Sequence, residues 1–435
     1  MKSVSLASSR HLAGTVKPSL LDGVARKAVL RQLGRLQLGH LSLLERGSEH
    51  HFGAAMSSAA KNCKPAVRIE VQDPRFFSEI AFGGSIGAGE AYMQGYWKCD
   101  DLVGLVRLLL RNREVLDGME GGTARLTVPV QKLFHWVNRN SHEGARRNIS
   151  AHYDLGNDFF ALWLDPTMMY SCAIFPTPET SLHQAQIARL DHICQKLELK
   201  ESDHVMEIGT GWGGFALYAA KNFGCRVTTT TISREQYSLA WQRIVDAGLQ
   251  DRITLLLEDF RDLEGQYDKL VSIEMIEAIG SDLYEPFFSQ CSRLLKNDGV
   301  MLLQAITIAD QRYDESQRAI DFIQRYIFPG SCLPSSAVMT ETVAQSTNLR
   351  LLDLEDIGLH YATTLNHWRS NFFDNIEAVR AMDYPEAFIR MWEYYLCYCE
   401  GAFLERAISD LQIVFSKPDF RDPLKQSVWA PTTQA

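Results

Sequence analysis

The stretch VMEIGTGWGGF, residues 205–215, constrains this chain most. A short apolar run precedes it and the helix-like FALYAAKNF overlaps its end. Gly209, Gly211, Gly213 and Gly214 crowd the turn between them. Glycine tolerates positive φ and lets a ligand lie against bare backbone. A strand, a glycine turn and a helix N-terminus together form a nucleotide-type cradle. The pattern E-x-G-x-G-x-G-G lacks the lysine of GxxxxGK[ST] and departs from GxGxxG. It suits a ligand that presents a ribose and a zwitterionic tail in place of phosphates, and S-adenosylmethionine has that form. Glu207, Gly209, Thr210, Gly211 and Gly213 are the expected contacts. The alternative is a glycine-rich turn with no ligand.

Downstream the texture is a regular βα alternation. CRVTTTTI, RITLLLED, YDKLVSIEM and NDGVMLLQAITI read as strands, with SREQYSLAWQRIVDAG and DLYEPFFSQCSRLL as helices between them. Such alternation implies a parallel sheet with helices on both faces. Acidic residues at strand ends accept hydrogen bonds from ribose or adenine, so Asp259 is expected at the adenine. The second strand ends in threonine, which leaves the ribose to Thr231 or Gln236.

At 435 residues the chain is long for one domain. The expected divisions are a basic segment 1–35, a small N-terminal domain 36–116, a linker 117–148 and a catalytic domain 149–435. The net charge of -9 argues against nucleic acid as a partner. Nine scattered cysteines, with no CxxC pair, offer no metal spacing and suit reduced thiols in the cytoplasm. No apolar run approaches the roughly 18–20 residues that cross a bilayer, so any membrane contact is expected to be peripheral. The first 46 residues are rich in Lys and Arg, with only Asp22 and Glu45 opposing them. A basic amphipathic helix there has two readings, a contact with an anionic membrane surface and packing on its own domain. In the N-terminal domain LQLGHLSLLE and AVRIEV alternate as strands, with GSEHHFG as a turn. The glycines of IAFGGSIGAGEAYMQGYW break up a helical approach.

From Ile149 the chain becomes aromatic. HYDLGNDFFALWLDPTMMYSCAIF holds His152, Tyr153 and Asn157 in one polar run that a buried aromatic helix pair does not explain. A polar insertion between Ala309 and Ser335 falls where a lid over substrate is expected. Two aromatic helices, 365–382 and 385–405, supply core residues and candidates for an acyl channel.

Residues 36–416 resemble the cyclopropane-fatty-acyl-phospholipid synthase family, which includes the mycolic acid cyclopropane synthases. The resemblance rests on GSIGAGEAYMQGYW, HYDLGNDFFALWLDPTMMYSCAIF, VMEIGTGWGGFALYAA, TISREQ, EMIEAIG, YIFPGSCLPS and YYLCYCEGAF. It implies an α/β fold of the Rossmann-like class I methyltransferase type, with a mostly parallel seven-stranded sheet and a smaller α+β N-terminal domain. It further implies transfer of a methylene group from S-adenosylmethionine to the cis double bond of a phospholipid acyl chain.

In that chemistry an alkene attacks the sulfonium methyl group, a carbocation forms, and a base removes a proton so that the ring closes. The family's base is a bound bicarbonate. The matching motifs assign its site to Cys172, Glu277, Gln304, Ile306 and Tyr361. Tyr170 and Ser171 are implied at the cofactor, and His152, Tyr153 and Asn157 at the substrate. Cys399 matches a cysteine marked as an active-site candidate, although the chemistry needs no thiol. Many bacterial members carry histidine at the places of Gln304 and Ala278, and this chain is closer to the plant-type branch there. A methyl- or methylene-branched product and a lipid-binding protein without turnover are the alternatives. A membrane surface, a homodimer through the N-terminal domain and a partner oxidoreductase complete the expectations.

Overall fold

The computed structural model describes residues 20–53, 66–120 and 156–421. His152 and Tyr153 lie outside the described residues. Among the described residues the chain forms two compact units. One runs to Asp101 and takes in the helix Arg113–Glu120. The other joins the helix Leu102–Arg111 to residues 156–421.

The smaller unit holds a four-stranded sheet of β1 (His40–Glu45), β2 (Ser48–Gly53), β3 (Ala66–Val71) and β4 (Trp97–Cys99), in the order β2-β1-β3-β4. The segment read as a turn, GSEHHFG, is mostly the strand β2. Only Arg46 and Gly47 turn, both at positive φ. Ser48–Gly53 faces solvent for much of its length, so it lacks the apolar alternation by which strands are recognised. The helix Arg75–Met93 is broken at Gly84, where φ is 57° and ψ is -137°, a conformation closed to side chains. The break folds the second half back so that a Cβ on Gly87 would lie 2.0 Å from the Glu79 carbonyl oxygen.

The larger unit is built on a seven-stranded sheet. Its strands are β5 (His204–Ile208), β6 (Arg226–Thr230), β7 (Ile253–Leu256), β8 (Tyr267–Ile273), β9 (Leu295–Ile308), β10 (Arg350–Asp356) and β11 (Ile408–Ser416). The order is β10-β11-β9-β8-β5-β6-β7, and only β11 runs against the others. Successive strand residues point to opposite faces, and the core obeys that rule. Met206, Leu270, Met301 and Leu303 enter one apolar cluster with Phe287 and Phe288. Val205, Val271, Val300 and Leu302 enter another with Ile193, Phe215 and Ile244. The helix read as 365–382 begins earlier, at Gly358, and stops at Asp374. The change puts Tyr361 on the first turn of a helix whose other end packs among aromatic rings. The helix Leu102–Arg111 packs on the helix Glu386–Leu404, and Arg107 and Arg111 each bond Glu405 at 2.8 Å.

Gly87→Ala sets a methyl group against backbone that has nowhere to move. Overpacking of this kind costs about 1–3 kcal/mol. Urea unfolding followed by circular dichroism is expected to show that loss, whereas Gly83→Ala, whose Cβ meets nothing within 4 Å, should show little.

Candidate active site

Strand ends in a parallel sheet open a crevice where ligands bind, at the point where the strand order reverses. Here that point lies beside β5. The turn after β5 has Gly209 at φ 104°, Gly211 at φ 53° and Gly213 at φ 85°, and Gly213 caps the helix Gly214–Phe223. A Cβ on Gly211 would meet no protein atom within 4 Å, so that backbone borders an open cradle. Gly214 has a different duty, since its Cβ would clash with Met169 Sδ and with the Thr167 carbonyl at 2.9 Å. It lets the segment ahead of Tyr170 lie on the helix start.

The expected cofactor residues cluster at this edge. Glu207 is buried and accepts from Thr229 Oγ1 at 2.6 Å, and Thr229 pairs with Thr210 Oγ1 at 2.7 Å. Burial pushes the Glu207 carboxyl up to about 8, opposed by the Thr229 hydroxyl and by Arg189. Thr231 Oγ1 donates to Gln236 Oε1 at 2.8 Å. Asn157 Oδ1 accepts from Trp212 Nε1 at 2.6 Å and so fixes the aromatic member of the glycine turn. Asp259, expected at the adenine, accepts from Arg261 Nε and Nη2, each at 2.7 Å. Nothing in the sequence pattern announced that fork.

Next to the cradle stands a cluster of carboxyl groups. At its centre is Glu274, the residue that follows β8, which sequence reasoning passed over. Its Oε1 accepts from Cys172 N at 2.8 Å and from Gln304 Nε2 at 2.7 Å, and its Oε2 accepts from Tyr361 Oη at 2.6 Å. Glu277, which a first reading of the helix start would expose, is buried. Its Oε1 accepts from Ile306 N, and its Oε2 has no partner among the described residues. Asp410 arrives from β11, directly opposite Ile306, and its Oδ2 accepts from Gln304 Nε2 at 2.9 Å. Gln412, opposite Gln304, donates to Gln304 Oε1 at 3.1 Å.

Five expected residues, Cys172, Glu277, Gln304, Ile306 and Tyr361, therefore do come together. They surround a carboxylate of the protein itself. Bicarbonate does not fit these residues, because the donors of Cys172, Gln304 and Tyr361 already serve Glu274.

Electrostatics distinguishes the three acids. Burial pushes Glu277 up to about 8, with the Glu274 charge adding to the shift, so Glu277 is mainly protonated at neutral pH. Burial and then the same neighbour hold Asp410 well above the usual carboxylate range. Enclosure raises Glu274 too, but the Tyr361 hydroxyl, the Cys172 N–H, Arg189 and Gln304 all pull it back. Arg189 is wholly buried and donates to Ser171 Oγ at 3.0 Å and to Gln186 Oε1 at 2.8 Å. The YSCA segment is thereby pinned from the helix Leu182–Lys196. From the other side, Thr364 Oγ1 accepts from Ala173 N at 3.0 Å.

Burial disfavours the thiolate form of both candidate thiols. Burial drives the Cys172 thiol well above its ordinary value, and its working atom here is the backbone nitrogen. Cys399 lies one helical turn beyond Tyr395, and its thiol is likewise pushed up by its surroundings. Tyr170 bonds Tyr395 Oη at 2.8 Å and sits in an aromatic cage, with the rings of Phe160, Trp163 and Trp368 at 5.6, 5.3 and 5.3 Å. Tyr361 stacks on Phe403 at 4.4 Å.

A glycine cradle at the carboxyl end of β5, in this sheet order, defines an S-adenosylmethionine-dependent methyltransferase. The family model for mycolic acid cyclopropane synthetase matches residues 140–413, and the chain belongs to that family. It is 39% identical to the tuberculostearic acid methyltransferase UfaA1 of Mycobacterium tuberculosis, over 74% of this chain and 76% of that protein. It is also 39% identical to the cyclopropane-fatty-acyl-phospholipid synthase of Escherichia coli, over 80% of this chain and 87% of that one. Among solved structures, the mycolic acid cyclopropane synthase CmaA1 complexed with SAH and CTAB is 31% identical. It aligns with a TM-score of 0.58 over 62% of this chain and 98% of that chain.

Replacing Gly211 with alanine puts a methyl group into the open cradle and adds about 1 kcal/mol of backbone strain at positive φ. Titration calorimetry is expected to show S-adenosylmethionine affinity at least about tenfold weaker, a loss of about 1.4 kcal/mol. The melting curve should stay cooperative.

Proposed function

We propose that the chain transfers a methylene group from S-adenosylmethionine to the cis double bond of unsaturated phospholipid acyl chains and closes a cyclopropane ring. The observation that carries this reading is a carboxyl cluster set beside the cofactor cradle and under aromatic walls. The π electrons of the alkene form a bond to the methyl carbon, the carbon–sulfur bond breaks, and S-adenosylhomocysteine leaves. The chain carbon left behind is a carbocation. A proton then departs from the new methyl group, and its electron pair closes the ring.

Each step makes a demand that these residues meet. A weak nucleophile must be held in line with the sulfonium, which positioning alone can favour strongly. The cation must be kept from water, and the faces of Trp163, Trp368 and Tyr170 both exclude solvent and attract positive charge. The departing proton needs an acceptor within reach, and the carboxyl cluster supplies one.

The similarity to a tuberculostearic acid methyltransferase supports a second reading. Loss of the proton after a hydride shift leaves an exocyclic methylene in place of a ring. Reduction of that methylene to a methyl branch needs a hydride from a partner oxidoreductase. Incubating the protein with S-adenosylmethionine and vesicles of a cis-monounsaturated phospholipid separates the two. A product one CH₂ heavier that resists mild hydrogenation is the ring, and one that takes up hydrogen is the methylene.

Substrate chains of this kind lie in a bilayer, while no helix among the described residues is long and apolar enough to cross one. The helix Leu20–Leu33 buries Ala25, Val29 and Leu33 in its own unit. Its other face exposes Leu21 and Val24, at 65% and 69%, together with Lys27 and Arg31. That face suits an anionic membrane surface. Binding to anionic vesicles should weaken with added salt, since exposed charges are screened. The double variant Lys27→Glu/Arg31→Glu should bind them more weakly still, and unchanged flotation with vesicles would move the contact elsewhere.

A further inference from the structure

Glu274 has φ 49°, in the left-handed region that favours glycine. A side chain there costs on the order of 1–2 kcal/mol, and such strain persists where the surroundings hold it in place. The hydrogen-bond partners of Glu274 come from three separate segments. Its own N–H donates to the Gln304 carbonyl at 2.8 Å, which ties it to β9. Its carboxylate takes the Cys172 N–H, the Gln304 amide and the Tyr361 hydroxyl. These are groups gathered around the place where a base is needed, and one carboxylate of the chain satisfies all three.

The other acids are poor candidates for that base. Glu277 and Asp410 are both buried, and burial together with the Glu274 charge raises both carboxyl groups above the usual range. Glu274 keeps part of its surface accessible. Every charged or titratable group facing it has a defined part. Tyr361 stays a hydroxyl donor, because burial and the Glu274 charge push it far up. Cys172 stays a thiol. The Arg189 guanidinium favours the ionised form of Glu274.

We infer that the Glu274 carboxylate is the base that takes the proton from the transferred methyl group, so that the chain completes its reaction without bicarbonate. The inference rests on the proposed methylene transfer. In the step, the methyl C–H bond breaks, its electron pair forms the closing bond of the ring, and the proton ends on a Glu274 oxygen. The proton is returned to solvent before the next turnover.

The experiment compares wild type with Glu274→Gly and Glu274→Gln, in buffers stripped of carbonate and in buffers with bicarbonate or formate added. Glycine relieves the positive φ and empties the carboxylate's place, but it leaves the Cys172, Gln304 and Tyr361 donors unpaired. Glu274→Gly should therefore melt below wild type in stripped buffer and regain part of the loss when bicarbonate or formate is added. Glutamine keeps the shape and removes the base, and it stands in should the glycine variant fail to fold. Ring product should fall on the order of 10²–10⁴-fold in both variants. Release of S-adenosylhomocysteine should fall less, because carbon–sulfur cleavage precedes the proton step. Added bicarbonate or formate should restore ring product at least about tenfold in Glu274→Gly, whose donors are freed, and not in Glu274→Gln. Wild type should be indifferent to carbonate removal. Wild-type activity that disappears with carbonate, or a Glu274→Gln variant at full rate in stripped buffer, would overturn the assignment. If wild type makes no heavier lipid under any condition, it is the proposed function that fails.

Discussion

The structure of the active site depends on supporting one carboxylate in a largely enclosed place. Desolvating a carboxylate costs several kcal/mol, and that cost is offset only when hydrogen bonds reach both oxygens. For Glu274 the donors are the Cys172 backbone, the Gln304 amide and the Tyr361 hydroxyl. They belong to a loop, a central strand and a helix that are distant in sequence. Meeting that one charge thus fixes how those segments sit together. It also explains features with no duty towards cofactor. Gln186 and Arg189 hold the YSCA loop by Ser171, and Thr364 holds it by Ala173, so that the Cys172 N–H stays aimed at Glu274.

The same enclosure serves a reaction that passes through a cation. A carbocation in water is captured within its first encounters, so the site needs walls without nucleophiles. Phe159, Phe160, Trp163, Trp368 and Trp392 form a continuous set of ring contacts at 5.0–6.2 Å. Cys172, the one thiol next to Glu274, is kept protonated by burial. A thiolate at that spot would capture the cation irreversibly, so a high thiol pKa protects the enzyme. Positive charge then finds only ring faces and a carboxylate too well bonded to act readily as a nucleophile.

The sequence made the fold legible where local rules govern it. The glycine turn, the β-branched strands and the Ser233 cap each carry their own signal, and the parallel order follows from their alternation. Of the site, the residues at strand ends were legible and their partners were not. Gln304 and Ile306 were expected on β9, but Asp410 and Gln412 depend on the register between β9 and β11, which no single-sequence pattern states. The Arg261 fork on Asp259 was not legible either, because Arg261, two residues on, reads as an ordinary surface charge. Glu274 was missed for a comparable reason. EMIEAIG offers two glutamates, and the one in the helical turn drew notice. The left-handed backbone that turns the other one inward appears only once the strand ends are in place.

The amide at Gln304 and the carboxylate at Glu274 are a matched pair. One amide nitrogen donates to Glu274 and to Asp410, at 2.7 and 2.9 Å, while the amide oxygen accepts from Gln412 at 3.1 Å. A side-chain amide carries two N–H groups and one acceptor, which is the set this position uses. Neutral imidazole has a single N–H, so it would leave one of the two acids without its donor. Imidazolium has two N–H groups but no acceptor, so it would leave the Gln412 amide facing a cation. Histidine at 304 is therefore suited to a site whose anion comes from outside and leaves again. Glutamine is suited to a carboxylate that never leaves.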